Sequence, residues 1–223
     1  MSLTLAPPPT STWRGSPVNA ARRSHHTTSQ QAPLPPPPTL AEMAALGEPV
    51  RIKMSWDQWW DYPYEGNAEY ANGEAILMPP PSRRHARIQG RLIRAEVSDP
   101  ARLEASPQFG VGVDKKRCRI PDVVFTPPDS LGGERLGAVL VAVEVLSTGS
   151  RRNDFIDKQA EYFASGVGQY WVVDLVANTI EVFENDDDER WLKIAIVDAE
   201  HPEAVIQVPG HGTITLLHGE IFQ

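Results

Sequence analysis

The sequence has almost no cysteine, and it has no apolar segment long enough to cross a lipid bilayer. Its single cysteine, Cys118, has no partner for an internal disulfide, and no cluster of His and Cys residues has the spacing of a zinc site. The apolar runs fall well short of the roughly 20 residues that a transmembrane helix needs, and the N-terminus lacks the apolar region of a secretory signal. We therefore expect a soluble, cytoplasmic protein without a membrane partner.

Two common catalytic patterns are also missing. The sequence Gly110-Val111-Gly112 lacks the further glycine and the following helix of a dinucleotide-binding loop. Ser147 and Ser150 occur without the His and Asp partners that a serine hydrolase requires. The formal net charge of −8 argues against a protein that coats nucleic acid non-specifically, because such binding needs clustered Lys and Arg. It does not exclude a nuclease, whose metal-binding carboxylates add to the acidic count.

The N-terminal segment has no acidic residue before Glu42, is rich in Pro, Ser, Thr and Ala, and contains a proline run at residues 35–38. Such a segment cannot bury enough apolar surface to offset the conformational entropy that is lost on ordering. We predict a disordered, proline-rich tail over residues 1–38 and a single folded domain over residues 39–223. The length of the chain suits one α/β domain with a buried core and an appendage.

Hydrophobic periodicity predicts a mixture of helices and strands in this domain. A capped short helix should follow Ser55, and Gly73 marks a hairpin within residues 68–78. A period of 3.6 residues predicts longer helices over residues 85–97 and 154–165. Strands are predicted at residues 109–113, 123–125, 139–145, 170–173 and 179–183, with further short strands up to Leu217. The predicted fold class is α/β, with a mixed central β-sheet flanked by helices.

Two carboxylates lie in or beside apolar strands, where an unpaired charge is costly. Asp122 stands at the start of one predicted strand, and Glu144 interrupts the next. A buried carboxylate must be paired or must bind a metal ion. Two carboxylates at neighbouring strand ends can hold Mg²⁺, which polarises a phosphate and lowers the pKa of an attacking water. Lys158, in the helix that follows, could orient that water and stabilise the developing charge.

The order of these residues resembles the Uma-two family, which belongs to the restriction-endonuclease-like superfamily. The likeness covers roughly residues 56–183 and is carried by Gly73-Glu74, Met78-Pro79-Pro80-Pro81-Ser82, His85, Pro121-Asp122, Glu144-Val145-Leu146-Ser147, Asp154, Lys158, Tyr162, Gly166-Val167 and Tyr170-Trp171-Val172-Val173-Asp174. The superfamily signature is Pro-Asp, a spacer, and then an acidic residue, any residue, and Lys. Here Leu146 stands at the lysine position. The Uma-two family is similar to this sequence in lacking lysine at that position. By this resemblance, Lys158 in the following helix corresponds to the lysine of the signature.

The resemblance implies a restriction-endonuclease-like fold and a magnesium-dependent endonuclease that hydrolyses DNA, with Mn²⁺ as a substitute metal. Asp122 and Glu144 would be catalytic metal ligands, and Lys158 would be the catalytic group that orients water or stabilises charge. Secondary candidates are Glu74, His85 and Asp154. Nucleases that cut both strands often act as pairs, so a homodimer is a further candidate arrangement.

Each of these residues also has a purely structural interpretation. Asp122 could cap a turn at a strand edge. Glu144 could form a structural ion pair with Lys158 or an arginine, and Lys158 could instead pair with Asp154 on the helix surface. The competing functional hypotheses are a catalytically silent nucleic-acid-binding or protein-interaction module with the same fold, and an enzyme that acts on RNA or a repair intermediate.

Overall fold

The structure, a computed structural model, describes residues 33–114, 117–131, 139–146, 152–186 and 190–223. Most of the predicted tail, residues 1–32, lies outside this description. The chain contacts the folded body from Leu34 onward, because Leu34 packs against a cluster around Trp59. The hydroxyl of Tyr62 also donates a hydrogen bond of 3.1 Å to the carbonyl oxygen of Pro35. Leu34 and Pro35, which belong to the predicted tail, thus contact the folded body.

The described residues form five α-helices, of which the first three begin at side-chain caps. They are α1 (Leu40–Leu46), α2 (Trp56–Asp61), α3 (Arg83–Leu92), α4 (Arg152–Ala164) and α5 (His218–Phe222). The side chains of Thr39, Ser55 and Ser82 accept hydrogen bonds from backbone N–H groups in the first turns of α1, α2 and α3. Gly166, in the left-handed conformation, follows the end of α4. In this part of the chain, no helix is long and apolar enough to span a membrane.

Fourteen strands in the described ranges form sheets of five, six and three strands. The strands are β1 (Val50–Lys53), β2 (Ala68–Ala71), β3 (Glu74–Leu77), β4 (Glu96–Val97), β5 (Glu104–Pro107), β6 (Val111–Asp114), β7 (Arg117–Arg119), β8 (Val123–Thr126), β9 (Val141–Leu146), β10 (Gln169–Asp174), β11 (Thr179–Asn185), β12 (Trp191–Val197), β13 (Glu203–Val208) and β14 (Gly212–Leu217).

The six-stranded sheet is mixed, as predicted. Its order is β12-β11-β10-β9-β8-β5, in which β9 and β10 are parallel and the other neighbours are antiparallel. The five-stranded sheet has the order β1-β3-β2-β7-β6, and the three-stranded sheet has the order β13-β14-β4. The parallel pair is possible because α4 carries the chain from the end of β9 back to the start of β10.

The central strands β8 and β9 are buried on both faces, which confirms the prediction from their continuous apolar sequences. Their odd-numbered residues pack with Ile88 and Leu92 of α3. Val124 and Ala142, which point to the opposite face, pack with Tyr162 of α4. Because side chains alternate along a strand, the even-numbered side chains of β9 face α4.

The helix predicted over residues 85–97 is wrong at its C-terminal end, because α3 ends at Leu92. Residues 96 and 97 instead form β4, in which Val97 pairs with Ile214 and Glu96 pairs with Thr215. The helical spacing of apolar residues continued in the sequence beyond Leu92. Pairing with a strand more than a hundred residues later took precedence over this local pattern.

Cys118 lies on β7 in a buried position. Burial raises the pKa of its thiol to about 12; the charge of Glu69 adds to the rise and that of Arg119 opposes it. Since the thiolate is the reactive form and an ordinary cysteine has a pKa of about 8.5, Cys118 should stay protonated and unreactive near pH ~8. We expect iodoacetamide to leave the folded protein unmodified at that pH and to label the protein fully in urea, as measured by mass spectrometry. Rapid labelling of the folded protein would contradict this prediction.

Candidate active site

Asp122 and Glu144, the two carboxylates singled out by the sequence, lie opposite each other. The antiparallel register of β8 and β9 pairs Val123 with Val143, so the preceding residue 122 falls across from residue 144. Opposed residues of an antiparallel pair have Cβ atoms about 4.5–5.5 Å apart. The backbone N–H of Val145 also donates a hydrogen bond of 2.7 Å to Oδ2 of Asp122. The two carboxylates are therefore neighbours at one end of the central strands.

Lys158 reaches this pair from α4. Its Nζ lies 3.2 Å from Oε1 and 3.3 Å from Oε2 of Glu144. Tyr162, one helical turn further along α4, donates a hydrogen bond of 2.6 Å to Oε1 of Glu144. Lys158 is buried, so it is not a surface residue of the helix. Asp154 belongs to the same helix, but its side chain lies outside the described part of the structure.

Helix α3 holds Asp122 from another direction. Nε2 of His85 lies 2.8 Å from Oδ1 of Asp122. Gln89, one turn later, donates a hydrogen bond of 2.6 Å to the main-chain oxygen of Asp122. The sequence singled out His85, whereas Gln89 was missed because a buried glutamine on the apolar face of a helix has no distinctive pattern.

A third carboxylate, Glu69 on β2, was also missed. Its Oε1 lies 2.9 Å from Nζ of Lys158 and accepts a hydrogen bond of 3.2 Å from the backbone N–H of Ile120. Its Oε2 accepts a hydrogen bond of 2.9 Å from Nη1 of Arg119. A sequence signal did exist, because Glu69 interrupts an apolar strand in the same way that Glu144 does.

The charges continue beyond Glu69. Nε of Arg119 donates a hydrogen bond to Oε2 of Glu161, which lies on α4 one turn after Lys158. Nη1 of Arg117, nearer the surface, lies 3.4 Å from Oε1 of Glu161. We call the following five residues the buried ion network: Glu144, Lys158, Glu69, Arg119 and Glu161. Because buried charges are costly unless each is paired, this network fixes α4 in position over both sheets.

The two glutamates that share Lys158 have different pKa values. Burial raises the pKa of Glu144 to about 7; the charge of Lys158 opposes the rise, and the nearby carboxylates of Asp122 and Glu69 add to it. Burial alone would raise the pKa of Glu69 too, but Lys158 and Arg119 together bring it below its usual value. The positive charge near Glu144 is therefore too small to offset the effect of burial on its pKa.

His85 contributes positive charge beside Asp122. Burial lowers the pKa of its ring, but the hydrogen bond and the charge of Asp122, together with the charge of Glu144, bring the pKa above its usual value. The folded protein therefore keeps this imidazole protonated to a higher pH than a free histidine. In that form the ring donates its Nε2 hydrogen bond to Asp122.

Comparison with known proteins identifies the family of this chain. The sequence profile of the Uma2 family, described as "putative restriction endonuclease", matches residues 56–215. The chain belongs to the Uma2 family. The match extends from the first residue of α2 into β14, so it includes every element that contributes to the site. Membership supports nuclease activity in general, with nucleic acid as the substrate.

A solved structure supports the fold assignment of this Uma2 protein. The crystal structure of a putative nuclease belonging to DUF820 from Anabaena variabilis aligns with a TM-score of 0.57 and 19% sequence identity, over 83% of this chain and 98% of that chain. At this identity the likeness concerns the fold alone, and it confirms the predicted nuclease-like α/β fold. No curated protein matches the sequence.

The site of this Uma2 protein fits a hard divalent cation. Asp122 and Glu144 offer only oxygen atoms, the ligands that Mg²⁺ and Mn²⁺ prefer. A carboxylate has about four acceptor positions, and the bonds from His85 and Val145 occupy two of those on Asp122. Within the described residues, no group of three or more His, Cys, Asp or Glu side chains is arranged to hold a metal. The remaining ligands would then be water, backbone or substrate oxygens, as is common for Mg²⁺.

Glu74, the remaining secondary candidate, lies at the first position of β3. It forms an ion pair of 3.7 Å with Arg51 of β1. Its side chain is 26% exposed, in contrast to the 2% of Glu69, which lies in the neighbouring strand β2. A role for Glu74 at the metal site stays a prediction.

Proposed function

We propose that this Uma2 protein is a magnesium-dependent endonuclease that hydrolyses phosphodiester bonds in DNA. One observation carries the proposal: Asp122 lies opposite Glu144 on adjacent central strands, with the ammonium group of Lys158 against Glu144. This arrangement combines oxygen ligands for a hard cation with a buried positive charge. Family membership supports the coarser statement, which is nuclease activity.

A divalent cation bound between the two carboxylates would supply Lewis acidity and neutralise charge on the phosphate. The chain's own residues prepare the site for this reaction. Asp122 is oriented by the hydrogen bonds of its two oxygens, and Tyr162 fixes the rotamer of Glu144 through its hydroxyl. Because these side chains are already held in place, less free energy is needed to rearrange them when the phosphate reacts.

Lys158 has the position and the chemistry to act on the phosphate. Its ammonium group lies against Glu144, the carboxylate proposed to hold the cation beside the phosphate. We infer that Lys158 orients the water that attacks phosphorus and stabilises the charge that develops as the 3′ oxygen leaves. The positive charge is held in a site with little solvent, where it acts more strongly than it would in water.

The test combines metal binding with cleavage. Mn²⁺ and Mg²⁺ are titrated calorimetrically into the wild type and into an Asp122→Ala/Glu144→Ala variant, and the same samples are assayed for nicking of supercoiled plasmid. We expect the wild type to bind metal and to nick DNA until EDTA is added, and we expect the variant to do neither.

A different result would change the assignment. Wild-type protein that binds no metal, with or without DNA, would contradict the proposal and favour a catalytically silent binding module. Metal-dependent cleavage of RNA or of branched DNA, without cleavage of linear duplex DNA, would retain the metal chemistry but correct the substrate.

A further inference from the structure

Glu69 belongs to the site, but neither the sequence candidates nor the proposed reaction assigns it a role. Its distance to Nζ of Lys158 is 2.9 Å, shorter than the 3.2 Å from Lys158 to Glu144. The Glu69 side chain is only 2% exposed. It comes from β2 in the five-stranded sheet, whereas Asp122 and Glu144 belong to the six-stranded sheet.

We infer that Glu69 is a positioning residue that holds Lys158 beside Glu144 and thereby leaves Glu144 able to bind a cation. This inference rests on the proposed nuclease function. Lysine and a divalent cation compete for the same carboxylate oxygens of Glu144. The carboxylate of Glu69, at 2.9 Å, also neutralises the ammonium group, so Glu144 is not required to do so alone.

The carboxylate of Glu69 is itself held in a fixed orientation. It accepts hydrogen bonds from the backbone N–H of Ile120 through Oε1 and from Arg119 through Oε2. With both oxygens bound, the side chain has little freedom to rotate. Ile120 lies two residues before Asp122, so the group that holds the lysine is tied directly to the segment that carries the metal ligand.

Loss of Glu69 should therefore draw Lys158 closer to Glu144, which it already contacts at 3.2 and 3.3 Å. A glutamine at this position keeps the shape of the side chain but removes its negative charge. The ammonium group would then have one carboxylate partner fewer and would bind Glu144 more strongly, so Glu144 would bind the cation less well. The mutation of a residue that orients a metal ligand typically costs about 10–100-fold in metal affinity or activity.

Glu161→Gln provides a matched control for Glu69→Gln. Both glutamates are buried and both bind Arg119, but the ion pair with Lys158 is made by Glu69. Both variants should lose thermal stability, since each leaves Arg119 with one carboxylate fewer. In Glu69→Gln, we expect the Mg²⁺ concentration for half-maximal plasmid nicking to rise about 10–100-fold, with little change in the KM for DNA. In Glu161→Gln, we expect this concentration to stay close to the wild-type value.

A second measurement does not depend on activity. The chain contains five lysines, so labelling them with ¹⁵N gives a simple spectrum of ammonium groups. The ammonium protons of Lys158 should exchange slowly with water and so give a visible signal. The signal that disappears in Lys158→Met is assigned to Lys158. We expect this signal to persist in Glu161→Gln and to shift or broaden in Glu69→Gln.

The outcomes separate this inference from the proposed function. If the wild type shows no nuclease activity but the Lys158 signal depends on Glu69, the proposed function fails and the contact stands. If the wild type cleaves DNA and Glu69→Gln requires no more Mg²⁺ than Glu161→Gln, the inference is wrong and the nuclease assignment stands. A wild type without a protected Lys158 signal would also overturn the inference.

Discussion

Replacement of Asp122 by alanine is expected to abolish cleavage while the protein stays folded. The change removes one of the two carboxylates that face each other at the ends of β8 and β9, and with it a ligand of the proposed cation site. A bound divalent cation contributes several kcal/mol of transition-state stabilisation, so its loss should lower the nicking rate by about 10³-fold or more. The substitution also removes the acceptor of the Val145 backbone N–H, which should cost about 1–3 kcal/mol of stability.

Asp198→Ala is the matched control for Asp122→Ala. The Asp198 side chain is 22% exposed, against 19% for Asp122, and each aspartate has a histidine partner and a backbone N–H donor. The partner of Asp198 is His201, at 3.0 Å. Asp198 follows β12, at the opposite edge of the six-stranded sheet from β8 and β5. We expect Asp198→Ala to cleave DNA like the wild type.

The nicking rate and the thermal unfolding of both variants together test whether Asp122 acts as a metal ligand. If Asp122→Ala retains metal-dependent cleavage, the assignment of Asp122 as a metal ligand is wrong. If the two variants lose activity equally, the loss reflects the structural disturbance of an aspartate–histidine pair rather than chemistry.

Some features of the candidate site could be predicted from the sequence, because local patterns carried the information. Glu144 stood out because a charge inside an apolar strand needs a partner, and its burial in β9 agrees with that argument. The hairpin of β2 and β3 was predicted from Gly73, and both Asn72 and Gly73 adopt positive φ angles in the turn. Such signals lie within a few residues of one another, so a single sequence contains them.

The buried ion network could not be predicted in the same way. Its contacts join residues far apart in the chain: Glu69 and Arg119 are 50 residues apart, and Arg119 and Glu161 are 42. A strand pattern can indicate that a glutamate is buried, but the partner depends on how the five-stranded sheet meets α4. The short strand β4 is a similar case, because its pairing with β14 depends on a distant part of the chain.

The largest loss of stability is expected for Arg119→Met. The Arg119 side chain is 4% exposed and bridges the carboxylates of Glu69 and Glu161. Removing one member of a buried ion pair leaves an uncompensated charge, which typically costs about 3–5 kcal/mol. Arg91→Met is the control, because Arg91 donates to the main-chain oxygen of Ile221, and loss of such a bond costs about 1–3 kcal/mol at most. Urea unfolding measures the free energy of unfolding of both variants and of the wild type.

The pH dependence of Arg119→Met provides an independent check of the mechanism. The charge of Arg119 lowers the pKa of Glu69, so its removal should raise that pKa in the folded state. If the folded variant has a higher Glu69 pKa than the folded wild type, it binds more protons, and its stability relative to the wild type then falls as pH rises. The deficit of Arg119→Met relative to the wild type should therefore be smaller near pH ~5 than near pH ~8. A deficit that is independent of pH would mean that lost packing around the arginine stem, rather than the loss of a positive charge beside Glu69, destabilises the variant.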